Sequence, residues 1–181
     1  LHPNYRFFDD DRHFDSIRKL AQSERRDVHD YLVPFDMTTR AGTRFRFGVQ
    51  LCEDIWCQDY AYGEGVLDGV ATLADRGAQA VFNLSASPWT WQKSDKRNRT
   101  VREVLARSPV PFFYVNHVGA QNNGKNVIVF DGDTCAYAPN GNIVHRGPRW
   151  RTALSIVDGQ RERPTANRQD VVDRGEWADE A

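Results

Sequence analysis

The chain has 181 residues, with 24 Lys+Arg against 25 Asp+Glu, 40% hydrophobic and 12% aromatic residues, and three cysteines. That is enough chain for one domain with a full core, too apolar for a disordered segment, and too evenly charged for a nucleic-acid surface. No apolar run reaches the ~18 residues of a membrane span, and an odd, low cysteine count favours a reducing, cytoplasmic setting over a disulfide scaffold.

Leu1 is followed at once by polar and aromatic residues, with no leader and no opening strand, so the sequence reads as a fragment whose beginning lies elsewhere. Ser16 to Arg26 is expected to form a short helix with a thin apolar stripe, and residues 31–35, broken by Pro34, an edge strand or a loop. From Thr43 the apolar residues alternate, which predicts a strand ending near Cys52. After a Gly-punctuated loop at 57–65, Val66, Val70, Leu73 and Ala74 line one helical face, with Gly77 at the C-terminal cap position. Residues 78–84 read as a buried strand, 95–107 as an amphipathic helix ended by Ser108-Pro109, and 110–116 as a further buried strand.

The second half reads as all-β. Val127–Asp131 is apolar, and the turn residues at 138–142 separate extended runs at 133–138 and 142–146. Thr152–Val157 is expected to be a last strand, and 159–181 a polar tail or linker. Helices alternating with buried strands, followed by antiparallel pairs, place the chain in the α/β class. The domain is expected to occupy 1–158.

The richest stretch for chemistry is GVQLCEDIW at 48–56. A buried strand there delivers Cys52 at its end, where a rigid backbone can face a crevice and the following N–H can be aimed. The thiolate is the reactive form, so two acids facing the sulfur would oppose its formation. Glu53 and Asp54 should therefore point elsewhere, or one of them should take part in binding. The ordinary alternative for Cys52 is a buried core thiol, and Cys57 and Cys135 are read that way. The histidines at 2, 13, 29, 117 and 145 have no metal-ligand spacing with the cysteines, so no metal site is expected.

GVQLCEDIW resembles the nucleophile segment of the nitrilase superfamily of carbon–nitrogen hydrolases, in particular the glutaminase domain of glutamine-dependent NAD+ synthetases. Four more segments follow the family's order. LHPNYRFFDDDRHF is similar to its LPNYxxFDExRxF segment, VFNLSASPW to its NLSASPF strand end, PFFYVNHVGAQ to PxxYVNxVGxQ, and VFDGDTCAYAPNGNIV to its FDGxS hairpin. The likeness runs from Leu1 to about Val157. It departs at His2, where LHPNY stands for LPNY, and at 121–126, which lack the family's acidic loop.

The resemblance implies a four-layer α-β-β-α sandwich, here as a partial domain, and a Glu-Lys-Cys triad. Cys52 matches the nucleophile. The lysine and glutamate would lie ahead of Leu1, so the 181 residues alone are expected to hydrolyse little glutamine. The resemblance also implies that Tyr5, Ser87 and Lys93 hold glutamine, a cation at Lys93 meeting the α-carboxylate. Glu53 would bind the α-ammonium group and Trp56 would wall the pocket. Each has an ordinary counterpart: a solvated charge for Lys93, a helix-capping carboxylate for Glu53, core packing for Trp56.

No cofactor is implied for glutamine hydrolysis. ATP and Mg²⁺ would act on a separate synthetase domain that receives the ammonia, since no SGGxDS-type loop occurs in the chain. A homo-oligomer is implied; nucleic acid and membrane are not. The competing readings are a stand-alone carbon–nitrogen hydrolase acting on another amide or nitrile, and a non-enzymatic member whose thiol is only core.

Overall fold

A computed structural model of the chain describes residues 13–59, 65–122, 124 and 126–157. Eight strands and three helices follow in order: α1 (Ile17–Glu24), β1 (Phe35–Thr38), β2 (Arg44–Leu51), α2 (Gly69–Asp75), β3 (Ala80–Ser85), α3 (Lys93–Arg107), β4 (Phe112–Asn116), β5 (Val118–Asn122), β6 (Val127–Asp131), β7 (Cys135–Tyr137) and β8 (Ile143–Arg146). Short 3-10 turns occupy Val28–Tyr31 and Cys52–Trp56.

One six-stranded sheet runs in the order β1-β2-β3-β4-β7-β8. β2, β3 and β4 are parallel neighbours, and β1, β7 and β8 extend the sheet antiparallel at its two edges. β5 and β6 form a separate two-stranded antiparallel ribbon. The mixed α/β class expected from the sequence is present.

The two parallel crossovers put α2 and α3 on one face, as right-handed βαβ connections require. α2 starts at Gly69 rather than Val66, because Asp68 caps it by accepting from Ala71 N at 3.1 Å. The register pairs Gly48 with Val81 and brings α2 tightly onto β2. A Cβ on Gly48 would lie 2.8 Å from Leu73 Cδ1, and one on Gly69 2.5 Å from Gln50 Nε2. Val70, Leu73, Val101, Val104 and Leu105 fill this layer against Val81, Phe112 and Tyr137, each almost wholly buried. Burying an aliphatic side chain of this size stabilises by about 1.5–3 kcal/mol.

The opposite face is a different surface. The odd-numbered apolar residues of β2 and their partners form a ladder of rings: Phe35 on Phe47 at 5.7 Å, Phe45 on Phe47 at 5.9 Å, Phe47 edge-on to Phe82 at 5.7 Å, and Phe82 stacked on Phe113 at 4.8 Å. Phe35, Met37, Leu51, Leu84 and Val115 on this face are exposed. Parallel sheets are ordinarily covered on both faces. Among the described residues, no second sheet lies over this one, so the described part is one sheet with one helical layer and a ribbon rather than four layers.

Two elements depart from expectation. β5 was not foreseen: GlyAlaGlnAsn carries no apolar alternation, and pairing with β6 imposes its extended form. Thr152–Val157 is not a strand. Leu154 and Ile156 are almost fully exposed, and the segment pairs with none of the described strands. β1 begins at Phe35, just beyond the Pro34 break, and is an edge strand. The tail at 159–181 and the Tyr5 segment lie outside the described residues.

Candidate active site

β2 is the parallel strand beside β3, and Cys52 follows its last residue. The chain there turns at once into the 3-10 turn Cys52–Trp56, and Cys52 itself has φ 40°, in the left-handed region. A non-glycine residue held there costs free energy, and such outliers concentrate where a side chain must be presented. Asp54 secures the turn by accepting from Leu51 N at 3.0 Å. Cys52 is partly exposed, whereas Cys57 and Cys135 are buried in the core as expected.

The two acids behave differently. Asp54 bends back onto the strand end. The Glu53 charge is close enough to act on the sulfur. Burial, reinforced by the Glu53 charge, pushes the Cys52 thiol up to about 11, opposed by the Ala86 backbone N–H, Lys93 and the Ser85 hydroxyl. Of the two alternatives, Asp54 turns away from the sulfur onto the strand end, and Glu53 stays near enough for its charge to be felt there.

The loop after β3 forms the other wall. Asn116 clamps it, with its Oδ1 accepting from Ser87 N at 2.9 Å and its Nδ2 donating to Ser87 O at 3.3 Å. His117 N donates to Ser85 O at 2.8 Å. Ser87 is buried, and its hydroxyl has no hydrogen-bond partner among the described residues. The side chains of Asn83 and Tyr114 stand opposite one another on β3 and β4, both fully buried. The Tyr114 hydroxyl faces Ser85 and Ser87 without a closed hydrogen bond, and the Arg97 guanidinium lies 4.5 Å above its ring.

Lys93 begins α3 and is half-buried beside Glu53, Cys52, Arg97 and Asp131. Burial holds its ammonium below the usual lysine range, against the pull of Glu53. It is not the solvated charge that its neighbours in sequence suggest. Its place depends on a buried hub at Asp133, which accepts from Ser94 at 2.5 Å, Arg146 at 2.6 Å, Arg149 at 3.3 Å and Arg97 at 3.4 Å. Burial alone would raise the Asp133 carboxyl, but Arg146, Ser94 and Arg149 hold it below the usual carboxylate range. The hub ties the start of α3 to the β6–β7 turn.

Trp56 is 6% exposed and belongs to the core, with Lys96 4.9 Å above its ring. Its outer edge lines a cleft of about 180 Å³ shared with Asp59, Lys96, Arg99 and Arg107. Glu53 and Lys93 thus lie near the Cys52 sulfur, Ser87 lies beside Asn116 and the Tyr114 hydroxyl, and Tyr5 lies outside the described residues. Sequence reasoning passed over Asn83, Ser85, Tyr114 and Arg97. One signal was available: Asn83, Ser85 and Ser87 occupy every second position of an otherwise apolar strand end. Among the described residues, no group of three or more His, Cys, Asp or Glu could hold a metal ion.

No family model matches the chain. It is 30% identical over 159 residues to a glutamine-dependent NAD+ synthetase of Synechocystis, covering 87% of this chain and 25% of that protein. It is 27% identical to the enzyme of the same name from Acinetobacter baylyi, over 84% of this chain and 23% of that one. The chain thus spans about a quarter of the length of these curated relatives. The structure of glutamine-dependent NAD+ synthetase from Acinetobacter baumannii in complex with adenosine diphosphate aligns with TM-score 0.59 and 25% identity, over 83% of this chain and 23% of that one. A carbon–nitrogen hydrolase from Helicobacter pylori aligns with TM-score 0.50 and 18% identity, over 65% of this chain and 39% of its own, a likeness of fold.

Proposed function

We propose that this chain, 30% identical to a glutamine-dependent NAD+ synthetase, forms part of a nitrilase-type glutamine amidohydrolase with Cys52 as nucleophile. The observation that carries the reading is Cys52 itself: a partly exposed thiol with φ 40° at the end of parallel strand β2, with Ser85, Ala86 N–H and Lys93 beside it. Cys52 attacks the side-chain amide of glutamine, and ammonia leaves. Water then hydrolyses the γ-glutamyl thioester to glutamate. The backbone N–H of Glu53, at the open start of the 3-10 turn, is a donor for the oxyanion.

Lys93 meets the α-carboxylate of glutamine, Ser87 and Tyr5 hold its polar end, and Glu53 takes the α-ammonium group. Trp56 backs the turn that carries the nucleophile. The glutamate base and the lysine of the family triad come from sequence ahead of Leu1. A second sheet packs on the exposed Phe35–Phe113 ladder and completes the four-layer sandwich. The hydrolysis takes no cofactor. The ammonia passes to a synthetase domain that uses ATP and Mg²⁺ to amidate deamido-NAD+. The protein is cytoplasmic and homo-oligomeric.

The test uses the full-length protein with Cys52→Ala. NAD+ formation from glutamine should be lost, while formation from added ammonium salt is retained. Glutamine-dependent synthesis that persists would remove Cys52 from the mechanism. Absence of ammonia-dependent synthesis in the unsubstituted protein would favour a stand-alone hydrolase of another amide.

A further inference from the structure

β3 places Asn83 and Ser85 two residues apart, so both side chains stand on the helix-covered face, where Cys52 follows the end of neighbouring β2. Asn83 is fully buried. Its Nδ2 donates to Ser85 Oγ at 2.7 Å and approaches the carbonyl oxygen of Cys52 at 3.4 Å. The second contact settles which way the amide faces. A backbone carbonyl only accepts, so the group turned toward it must be the NH2. Asn83 is therefore a donor to Ser85, and one lone pair of the Ser85 oxygen is occupied.

A serine hydroxyl carries a single hydrogen. With Asn83 donating to it, Ser85 cannot return that hydrogen to Asn83 Nδ2. It must send it to another acceptor. The Ser85 backbone is pinned by His117 N at 2.8 Å, which leaves only the side-chain torsion to choose a direction. Ser85 is partly exposed, so solvent is one acceptor, and the protein groups beside its hydroxyl are the Cys52 sulfur and the Tyr114 hydroxyl. Of the two, a thiolate is the stronger acceptor, because hydrogen bonds to ionised partners are about twice as strong as neutral ones. Tyr114, held under Arg97, can itself donate to the remaining lone pair of Ser85.

We propose that Ser85 donates a hydrogen bond to the Cys52 thiolate, and that Asn83 is the positioning residue that points the Ser85 hydrogen at the sulfur. The inference rests on Cys52 being the nucleophile. The relay runs one way, Asn83 to Ser85 to Cys52, and supplies a donor that opposes the Glu53 charge at the sulfur. It favours the thiolate before substrate arrives, so its effect belongs to nucleophile ionisation rather than to glutamine binding.

The experiment is the pH dependence of Cys52 alkylation by iodoacetamide in the full-length protein, read by site-resolved mass spectrometry. It needs no glutamine turnover. Ser85→Ala should move the Cys52 profile upward by about one pH unit, so that the rate at pH 8 falls about tenfold. Ser85→Thr, which keeps the hydroxyl on a strand-favouring side chain, should restore the profile. In the same variants kcat for glutamine should follow the alkylation rate while KM stays within about twofold. An unchanged alkylation profile in Ser85→Ala, or a Thr variant that behaves like Ala, would overturn the donor role. Loss of Cys52 from the mechanism altogether would show instead as glutamine turnover surviving Cys52→Ala, a separate result. Asn83→Leu, which leaves the Ser85 hydrogen without a fixed direction, should shift the Cys52 profile upward in the same sense; it stands in should Ser85→Ala unfold, and an unchanged profile there would overturn the relay.

Discussion

Asp133 and Arg146 form a buried ion pair, with Arg146 Nη1 2.6 Å from Asp133 Oδ1 and 1% of the Asp133 side chain exposed. Asp133 has φ 52°, so the backbone at this turn is held in a sparsely populated region by the bonds its own carboxylate makes. Four donors from α3, β8 and the segment beyond converge on it.

Asp133→Asn should therefore destabilise the fold by about 3–5 kcal/mol, since it strands buried guanidinium groups without their charge partner. The pH dependence has a definite sign. The carboxyl is held below its unfolded value, so its contribution is fully present above about pH 4 and is lost as the pH falls through the folded value. Denaturant unfolding at pH 3–7 checks this. The parent should lose stability toward pH 3, and the Asn variant should lose less over the same range. Equal slopes would mean that the hub does not carry the acid sensitivity.

Glu53 sets the reactivity of the thiol in the opposite sense. Burial first, and then the Glu53 charge, push Cys52 up to about 11. Over pH 7–9 the thiolate fraction should therefore climb about tenfold per pH unit. Glu53→Gln removes the negative neighbour and should raise the alkylation rate of Cys52 at pH 8 severalfold, even as it weakens any bond to an α-ammonium group. Iodoacetamide kinetics on both forms measure it. A slower Gln variant would show that Glu53 helps ionise the sulfur instead.

The ring ladder from Phe35 to Phe113 leads to a third expectation. With Leu84 46% and Val115 41% exposed beside it, the 181-residue chain made alone should bind a hydrophobic dye and self-associate. Leu84→Lys with Val115→Lys should suppress both effects in the isolated chain. In the full-length protein the same pair should instead destabilise, because it would bury two charges. Size-exclusion profiles and dye fluorescence decide the point. A monomeric, dye-silent parent would show that the face needs no cover.

The central parallel strands were legible because their apolar runs are bounded by Gly, Ser and Pro, and α3 because Val101, Val104 and Leu105 recur at helical spacing. β5 was not, because its extended form comes from its partner strand rather than from its own side chains. Thr152–Val157 alternates like a strand but is not docked on any described strand, and propensity without a paired neighbour makes no ladder.

At the site the same division holds. Local sequence placed Cys52 at a strand end but left it open between nucleophile and core thiol, and family resemblance singled it out together with Glu53, Ser87 and Lys93. Neither determined where Asp54 points, which follows from the 3-10 turn after Cys52. Nor did either reveal Asn83, Tyr114 or Arg97 as parts of the surroundings of the sulfur. Those residues are 31 or more positions away along the chain, and only strand register and the docking of α3 bring them together. Periodicity and turn chemistry are local and can be read in order. Hydrogen-bond direction and charge balance around one sulfur depend on distances between elements, which exist only once the sheet has closed.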